Sequence, residues 1–260
     1  GAVLGRPVDI RGTLPEPRFG HTTLALHSNT NHLAVIAGGT GTDGSGKAIS
    51  LTSVHILSRV TDSESEYSHF IWDRLSDMPS PRSYHASFID EKSNCMFVFG
   101  GVAADDPFTS SGDDLSSKAL QIELSQNESN TSCYIVDEPP ALIGGSAATL
   151  SMDTNDDVIL VVGGTKSPSA SVDSDQEDNQ SPITIFTNIY EKRSKKGLVR
   201  AKISSIKVVN DGWESDTLEL GSCVHHCLVT LPKSHNDTES SAIIVGGGVP
   251  SFSFGQSYAR

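Results

Sequence analysis

Four glycine pairs, each at the end of a short apolar run, constrain the fold of this 260-residue chain most strongly. The first glycines of successive pairs are separated by 62, 63 and 83 residues. A pattern that returns at such a spacing predicts an array of similar structural modules. The pairs are Gly38 and Gly39, Gly100 and Gly101, Gly163 and Gly164, and Gly246 and Gly247.

The clearest copy of the repeated unit runs from Pro81 to Gly101 as PRSYHASFIDEKSNCMFVFGG. Its two apolar runs, Ala86–Ile89 and Cys95–Phe99, are separated by a short polar turn, which predicts two antiparallel strands. The second run is apolar at every position, so we expect both of its faces to be covered. The glycine pair is predicted to end this strand, because glycine takes positive φ without strain and lets another backbone approach closely.

Two further strands are predicted after each of the first three pairs. They include Ile49–Leu57 and an edge strand Phe70–Leu75 in the first unit, Ser132–Val136 in the second and Ile183–Tyr190 in the third. Four strands in one period are typical of a propeller blade. The fold class is therefore predicted to be an all-β propeller of four-stranded antiparallel blades. The last blade lacks outer strands, which leaves open whether the propeller is complete. The blades are expected at roughly 13–78, 79–140, 141–218 and 219–260, with a Ser- and Asp-rich disordered insertion at 165–181.

Net charge restricts the partners that the whole surface can attract. At −13 the chain should repel nucleic acid and anionic membranes, so any RNA contact must be local. No run is long and apolar enough to span a bilayer, and no signal peptide is recognisable, so we expect no membrane partner and a cytoplasmic location. The four cysteines show no framework spacing and are expected to be reduced.

Basic residues are concentrated in one stretch, which holds 7 of the 19 lysines and arginines with no acidic residue between Lys192 and Lys207. Such a local inversion of charge could contact RNA phosphates. The alternative is a solvated hairpin tip, since no aromatic residues are interleaved there. The candidate RNA contacts are Lys192, Arg193, Lys195, Lys196 and Arg200.

Arg18 and Arg82 occupy matching places before the first strands of their units. Residues at such places are expected near one rim of a propeller, where loops build binding surfaces. Each guanidinium could bind a carboxylate or phosphate in a bidentate manner. The alternative is an arginine that braces the neighbouring blade.

No catalytic residue and no metal site is predicted in this chain. The repeated histidines lack a recognisable nucleophile and acid partner. The glycine-rich loop Gly39–Gly44 matches a phosphate-binding spacing but is followed by a strand pattern, so we interpret it as a turn. Cys223 and Cys227 flank His225, but residues four apart on a strand lie about 13 Å apart and cannot share one ion without a bulge.

The units resemble kelch repeats, which have a histidine in the first strand, a glycine pair after the second and an aromatic residue near the end. In this chain His21, His85 and either His225 or His226 take the first role, and Trp72 and Trp213 the third. The third unit departs from this pattern, with Gly145 where histidine is expected. The resemblance implies a kelch-type β-propeller.

The segment Ala242–Gly255, AIIVGGGVPSFSFG, resembles the closing motif of the kelch region in tRNA wybutosine-synthesizing protein 4, the leucine carboxyl methyltransferase 2 type. It is similar also to the kelch segment of the fused wybutosine-synthesizing proteins 2/3/4. This resemblance implies a propeller that positions phenylalanine tRNA for methyl transfer. S-adenosylmethionine would be bound by a domain outside this chain, so no cofactor is expected here. The alternative is a non-catalytic kelch scaffold that binds a protein partner through its rim loops.

Overall fold

The protein is described by a computed structural model that covers residues 9–12, 15–26, 31–61, 68–90, 94–103, 119–124, 131–132, 134–135, 143–151, 157–164, 183–190, 196–200, 208–210, 213–215, 224–231 and 242–248. Every regular element within these residues is a β-strand. The chain is therefore all-β in its described part, and its strands form several small sheets that are mainly antiparallel.

The first sheet has five strands in the order β1-β7-β6-β3-β2. All neighbours in it are antiparallel except β1, which pairs in parallel with β7. A separate two-stranded hairpin, β4-β5, lies between β3 and β6 in the chain. The bounds of these strands are β1 Ile10–Gly12, β2 Thr22–Ala25, β3 His32–Ala37, β4 Thr40–Thr42, β5 Ala48–Ser50, β6 Val54–Thr61 and β7 Ser68–Arg74.

The second sheet has four antiparallel strands in the order β11-β10-β9-β8. The third has five in the order β12-β16-β15-β14-β13, of which β12 pairs in parallel with β16. The bounds are β8 Ala86–Asp90, β9 Cys95–Phe99, β10 Leu120–Glu123, β11 Thr131–Ser132, β12 Tyr134–Ile135, β13 Ser146–Ser151, β14 Asp157–Val162, β15 Ile183–Tyr190 and β16 Lys196–Arg200.

The remaining described strands form two antiparallel pairs. One is the pair β17-β18, and the other, β19-β20, is called the fourth sheet below. Their bounds are β17 Val208–Asn210, β18 Trp213–Ser215, β19 Val224–Thr230 and β20 Ala242–Gly248.

Strand β9 lies at the centre of the packing, and all five of its residues are buried. Met96 and Val98 belong to a core cluster that joins the second sheet to the first. Phe97 and Phe99 belong to a cluster that joins it to the third sheet. The prediction that both faces of this strand are covered is confirmed, because the second sheet lies between two others.

The first strand of each unit lies beside the first strand of the next. Strand β2 contacts β8, β8 contacts β13, and β13 contacts β19. The four sheets therefore follow one another in space in the same order as in the chain.

The prediction of one continuous strand over Ile49–Leu57 is wrong. The chain leaves strand geometry at Leu51–Ser53, between β5 and β6. Backbone groups there bond elsewhere: the Leu51 N–H donates to the Gly39 carbonyl, and the Ser53 carbonyl accepts from the Gly38 N–H. Backbone groups of Leu51 and Ser53, which would bond to a neighbouring strand if the strand were continuous, bond to the glycine pair instead.

Two predictions about strand order are also corrected. Strand β7, predicted at Phe70–Leu75 as an edge strand, is covered by β1 on its outer side. The outer strand predicted at Ser132–Val136 is divided, since β11 pairs with the second sheet and β12 with the third. In both five-stranded sheets the added strand comes from the segment before the unit and runs parallel to the outermost antiparallel strand.

The glycine pair ends the second strand of the first three units, as predicted, since β3, β9 and β14 stop just before it. In the fourth unit the prediction is wrong, because β20 continues through Gly246 and Gly247 to Gly248. There Gly246 is paired with His226 and Gly248 with Val224. The predicted insertion at 165–181 lies outside the described residues, and the proposed blade boundaries stay predictions.

Candidate functional site

The richest group of polar side chains in the described residues lies where the first two sheets meet, beside Gly38 and Gly39. We call it the polar junction. It is formed by the segments just before β2 and β8, the first glycine pair and the start of β6. Its polar side chains are Glu16, Arg18, His21, Thr22, Ser53, His55, Arg82 and His85.

Gly38 and Gly39 permit the approach of the second unit to the first. Both have positive φ, +58° and +98°. A methyl group on Gly38 would collide with the carbonyl oxygen of Arg82, in the next unit. The Gly39 N–H donates to that same carbonyl over 2.7 Å. The glycine pair therefore allows the backbone of the next unit to approach closely, as the sequence predicted.

A second set of backbone hydrogen bonds links three units in series. Gly20, Tyr84 and Gly144 precede the first strands of their sheets at matching places, and all three have positive φ, +61°, +55° and +76°. The Tyr84 N–H donates to the Gly20 carbonyl, and the Gly144 N–H donates to the Tyr84 carbonyl, each over 2.7 Å. Tyrosine rarely takes this conformation, so the inter-sheet bonds hold Tyr84 in it.

Arg18 is held inside its own unit. Its side chain is only 2% exposed, and Nη2 forms an ion pair with Glu16 Oε2 over 2.6 Å. Nη1 donates to the Gly38 carbonyl over 2.9 Å, and Nη2 donates to Ser53 Oγ over 2.9 Å. These contacts make Arg18 a brace for the glycine pair and the start of β6. Binding of a ligand by Arg18 stays a prediction, and it would have to compete with these partners.

Arg82 is also buried, with 2% of its surface exposed. Burial lowers the pKa of its guanidinium to about 10. Its backbone carbonyl accepts the bond from Gly39, and its N–H donates to the Leu51 carbonyl over 3.2 Å. The backbone of Arg82 thus joins the units as the bracing alternative requires, and its predicted binding role is not tested by this geometry.

His85 links the two sheets through its side chain. Its Nε2 forms a hydrogen bond with Thr22 Oγ1, at the start of β2, over 2.7 Å. Burial, together with smaller electrostatic contributions from Arg82 and His21, lowers the pKa of His85 to about 3. The imidazole is therefore neutral at pH 7. A histidine with so low a pKa is a poor general base, which favours a structural role over catalysis.

Glu16 is the acidic member of the junction. Burial raises its pKa, but the hydrogen bond from Ser53 and the charge of Arg18 outweigh burial, so the net shift is downward. His55 Nε2 lies 3.9 Å from Glu16 Oε2. Burial lowers the pKa of His55 and the charge of Arg18 adds to this effect. The junction thus holds one carboxylate, paired with one arginine, among neutral imidazoles.

Two of the candidate RNA contacts, Lys196 and Arg200, lie on β16 in the third sheet. Strands β15 and β16 form an antiparallel hairpin, in which Lys196 pairs with Tyr190 and Arg200 with Phe186. Lys192, Arg193 and Lys195 fall in the connection between these strands, outside the described residues. The five basic residues therefore lie either on β16 or in the sequence that immediately precedes it.

The glycine-rich loop proves to be the hairpin β4-β5. Asp43 Oδ1 organises its turn by accepting hydrogen bonds from the N–H groups of Ser45 and Lys47 and from the Ser45 hydroxyl. Because a strand follows, no helix N-terminus is available to bind phosphate, so this loop does not fit a nucleotide-like cofactor.

Within the described residues, no three His, Cys, Asp or Glu side chains come together as a metal site would require. The same part of the chain contains no helix long and apolar enough to cross a membrane. Of the two cysteines that flank His225, Cys227 is exposed, whereas Cys223 lies outside the described residues.

Sequence reasoning missed the hydrogen bond between Thr22 and His85 and the positive φ of Tyr84. The first could not be read from the chain, because the partners are 63 residues apart. The second had one available signal: Tyr84 stands where Gly20 and Gly144 stand in the other units.

Comparison with known proteins gives a fold but no family. No family model matches the chain, and no curated protein matches it. Among solved structures 28 chains match, one of them the structure of YjhT. It is 14% identical, with a TM-score of 0.50, and the match covers 94% of this chain and 80% of that one. At this identity the likeness concerns the fold alone.

Proposed function

We propose that this chain is the kelch-type propeller portion of a tRNA-modifying protein of wybutosine biosynthesis. It would bind phenylalanine tRNA and position the substrate base for S-adenosylmethionine-dependent methyl transfer by a domain outside this chain. The closing segment Ala242–Gly255 supports this assignment through its resemblance to the wybutosine-synthesizing proteins. In this proposal the present chain contributes binding and the parent protein is the methyltransferase.

The propeller part of the proposal is supported by equivalent geometry in successive units. Gly39 and Gly101 have equivalent surroundings in their units. A methyl group on Gly39 would meet the Phe19 carbonyl and the Cβ of His21, and one on Gly101 would meet the Ser83 carbonyl and the Cβ of His85. In the fourth sheet His226 lies opposite Gly246. His21 and His85 occupy the corresponding places, one residue before the partners of Ala37 and Phe99. This register favours His226 over His225 as the kelch histidine.

The observation that carries the RNA-binding part is the concentration of basic residues on β16 and in the sequence directly before it. Lys196 begins β16 and Arg200 ends it, and the other three basic residues precede β16 directly. Positive charge clustered in one short segment can contact several phosphates even when the whole chain carries −13. The pKa of His85, lowered to about 3, supports a role for this imidazole without acid–base catalysis.

The proposal is tested by measuring the affinity of the 260-residue chain for phenylalanine tRNA at 50 and 200 mM salt. We expect affinity to fall steeply with salt, because binding releases counterions from the phosphates. Reversing three basic residues should weaken binding and flatten the slope of log K against log salt by about 2, at roughly 0.7 per lost phosphate contact. The test variant combines Lys192→Glu, Arg193→Glu and Lys195→Glu.

A matched control changes net charge by the same amount elsewhere on the surface. Its three positions are exposed; one lies in β1 and the other two lie in the first unit. We expect the control to retain most of the affinity and the full salt slope. Equal losses in both variants would mean that only the total charge matters, and the hairpin would then have no specific role. The control combines Arg11→Glu, Lys47→Glu and Arg59→Glu.

The overall acidity favours a second candidate function, a scaffold that binds a protein through its rim loops. A surface of net charge −13 would attract a basic protein partner more readily than a nucleic acid. Absence of measurable tRNA binding at 50 mM salt would favour this function over the first.

A further inference from the structure

Strand β1 runs along the outer edge of the first sheet, parallel to β7. Each of its three residues faces one residue of the apolar run in the middle of β7. The pairs are Ile10 with Phe70, Arg11 with Ile71 and Gly12 with Trp72. An apolar strand edge without a partner is a template for pairing with another chain. Strand β1 therefore covers the part of β7 that would otherwise be most prone to such pairing.

Strand β1 buries little surface and is attached mainly through its backbone. All three of its residues are exposed, and Ile10 is 50% exposed. The Phe70 N–H donates to the Asp9 carbonyl over 2.9 Å. In a parallel pair of this register, the next hydrogen bond runs from the Arg11 N–H to the Phe70 carbonyl. A strand of three exposed residues opens more readily than the rest of its sheet, because few contacts are lost when it leaves.

The last position of β1 is selective for glycine. Gly12 has a φ of +86°, and an added methyl group would meet the Trp72 carbonyl oxygen, the Trp72 nitrogen and Ile71 Cγ2. Two of these atoms belong to the backbone of β7 and cannot turn aside. Two residues earlier, Ile10 lies opposite Phe70. A segment that pairs with this edge therefore needs a glycine opposite Trp72 and suits an apolar residue two positions before that glycine.

The third sheet accepts a short strand at the same edge. Strand β12 pairs in parallel with β16, with Tyr134 opposite Gly197 and Ile135 opposite Leu198. The added segment again comes from before the unit, and one of the facing pairs again contains a glycine. Two separate sheets of this chain thus take up a short parallel strand on their outermost antiparallel strand.

We propose that the outer edge of β7 is a binding site for an extended peptide segment of a partner protein. The peptide pairs in parallel with β7 and replaces β1, with an apolar residue opposite Phe70 and a glycine opposite Trp72. In strand addition of this kind, backbone hydrogen bonds supply the affinity and alternate side-chain positions supply the specificity. Strand β1 is then an internal competitor, which occupies the site until the partner peptide displaces it.

The test uses a fluorescent peptide with the sequence of residues 7–14, PVDIRGTL, as a probe of the site. Its binding to the 260-residue chain is measured by fluorescence anisotropy. In the unchanged chain β1 competes with the probe at a high effective concentration. Arg11→Pro removes this competitor, because proline has no N–H to donate to the Phe70 carbonyl. We expect Arg11→Pro to bind the probe about tenfold more tightly than the unchanged chain, or better.

Two altered probes test the register. A probe with Gly12→Ala should bind Arg11→Pro at least about tenfold more weakly, because of left-handed strain and the collision with Trp72. A probe with Arg11→Ala is the matched control and should bind like the original, since the Arg11 side chain is 61% exposed. Equal binding of all three probes would overturn the proposal, because the edge would then not select the glycine.

Far-ultraviolet circular dichroism shows whether Arg11→Pro stays folded. If it does not, Gly12→Ala in the 260-residue chain replaces it, because the added methyl group also expels β1 from the edge. A folded open variant that fails to bind the original probe would overturn the proposal.

Light scattering identifies the source of the occupant. A partner protein as the source requires the unchanged chain to stay at 27.6 kDa at 50 μM. A larger mass that falls to 27.6 kDa in Arg11→Pro would overturn this assignment, since residues 9–12 of a second copy would then be the occupant. None of these outcomes depends on tRNA, so they are separable from a failure of the proposed function.

Discussion

Gly38 shows how a single missing side chain decides the spacing of two sheets. Its φ is +58°, and an added methyl group would meet the Arg82 carbonyl, His85 Cε1 and Met78 Cε. The carbonyl belongs to the backbone of the next unit and cannot turn aside as a flexible side chain would. A larger residue at this position must therefore either push the second sheet away or break the bond from Gly39 to Arg82.

We predict that Gly38→Ala lowers the free energy of unfolding by about 2 to 4 kcal/mol, which combines left-handed strain with overpacking. Urea denaturation followed by circular dichroism measures it. Gly44→Ala is the matched control, because nothing lies within 4 Å of the added methyl and Gly44 does not have positive φ. The control should change stability by less than about 1 kcal/mol. Equal effects in both variants would show that close approach at Gly38 is unimportant.

His85 makes stability depend on pH in a defined direction. Its pKa is lowered in the folded state to about 3 from 6.5, so the unfolded chain binds the proton more readily. The neutral imidazole therefore contributes its full stability above pH 6.5, and this contribution is lost as pH falls toward 3. As the pH is lowered from 6.5 to 5, protonation of this group in the unfolded chain should reduce the free energy of unfolding by up to about 1.4 kcal/mol per pH unit.

The variant His85→Gln removes the titrating group and should show a shallower pH dependence over the same window. Thr22→Val is the control, since it deletes the hydrogen-bond partner but leaves the imidazole able to titrate. It should be less stable at every pH and keep a steep slope. Urea unfolding at pH 5.0, 5.5, 6.0 and 6.5 distinguishes the two. An unchanged slope in His85→Gln would assign the titration to another group.

At the scale of the element, strand β9 and its partners were predictable because their signals are local. Five consecutive apolar residues ended by a glycine pair predicted Cys95–Phe99 with the bounds that the structure has. Strand β15 likewise spans the predicted Ile183–Tyr190. In both, alternation, length and punctuation depend only on neighbouring residues.

The elements that were missed depend on distant partners. Leu51–Ser53 carries β-branched and apolar residues but gives its backbone groups to the glycine pair and the next unit. Strand β1 exists because β7 offers a free edge to a short segment about 60 residues away. In β20 the glycines stay in the strand because β19 extends far enough to pair with them. Local sequence does not contain this information.

For the whole molecule, the repeat predicted that similar sheets would pack in series, and the described packing of four sheets agrees with it. For the polar junction, some of the residues were predicted but their contacts were not. Arg18, Arg82 and the histidines were singled out by their matching positions. Their contacts could not be predicted, because these join residues from two units and bury both arginine side chains.

The serial hydrogen bonds lead to a prediction about cooperativity. The Tyr84 and Gly144 amides donate across sheet boundaries, so both are freed only when neighbouring sheets separate. We predict that they exchange with deuterium as slowly as the amides of β9, because three sheets that share two cores should open as one unit. The Gly46 amide, bonded to Asp43 within an exposed hairpin turn, should exchange much faster. Nuclear magnetic resonance of the labelled chain resolves these amides. Exchange of Tyr84 at the rate of Gly46 would mean that the sheets separate individually while each stays folded.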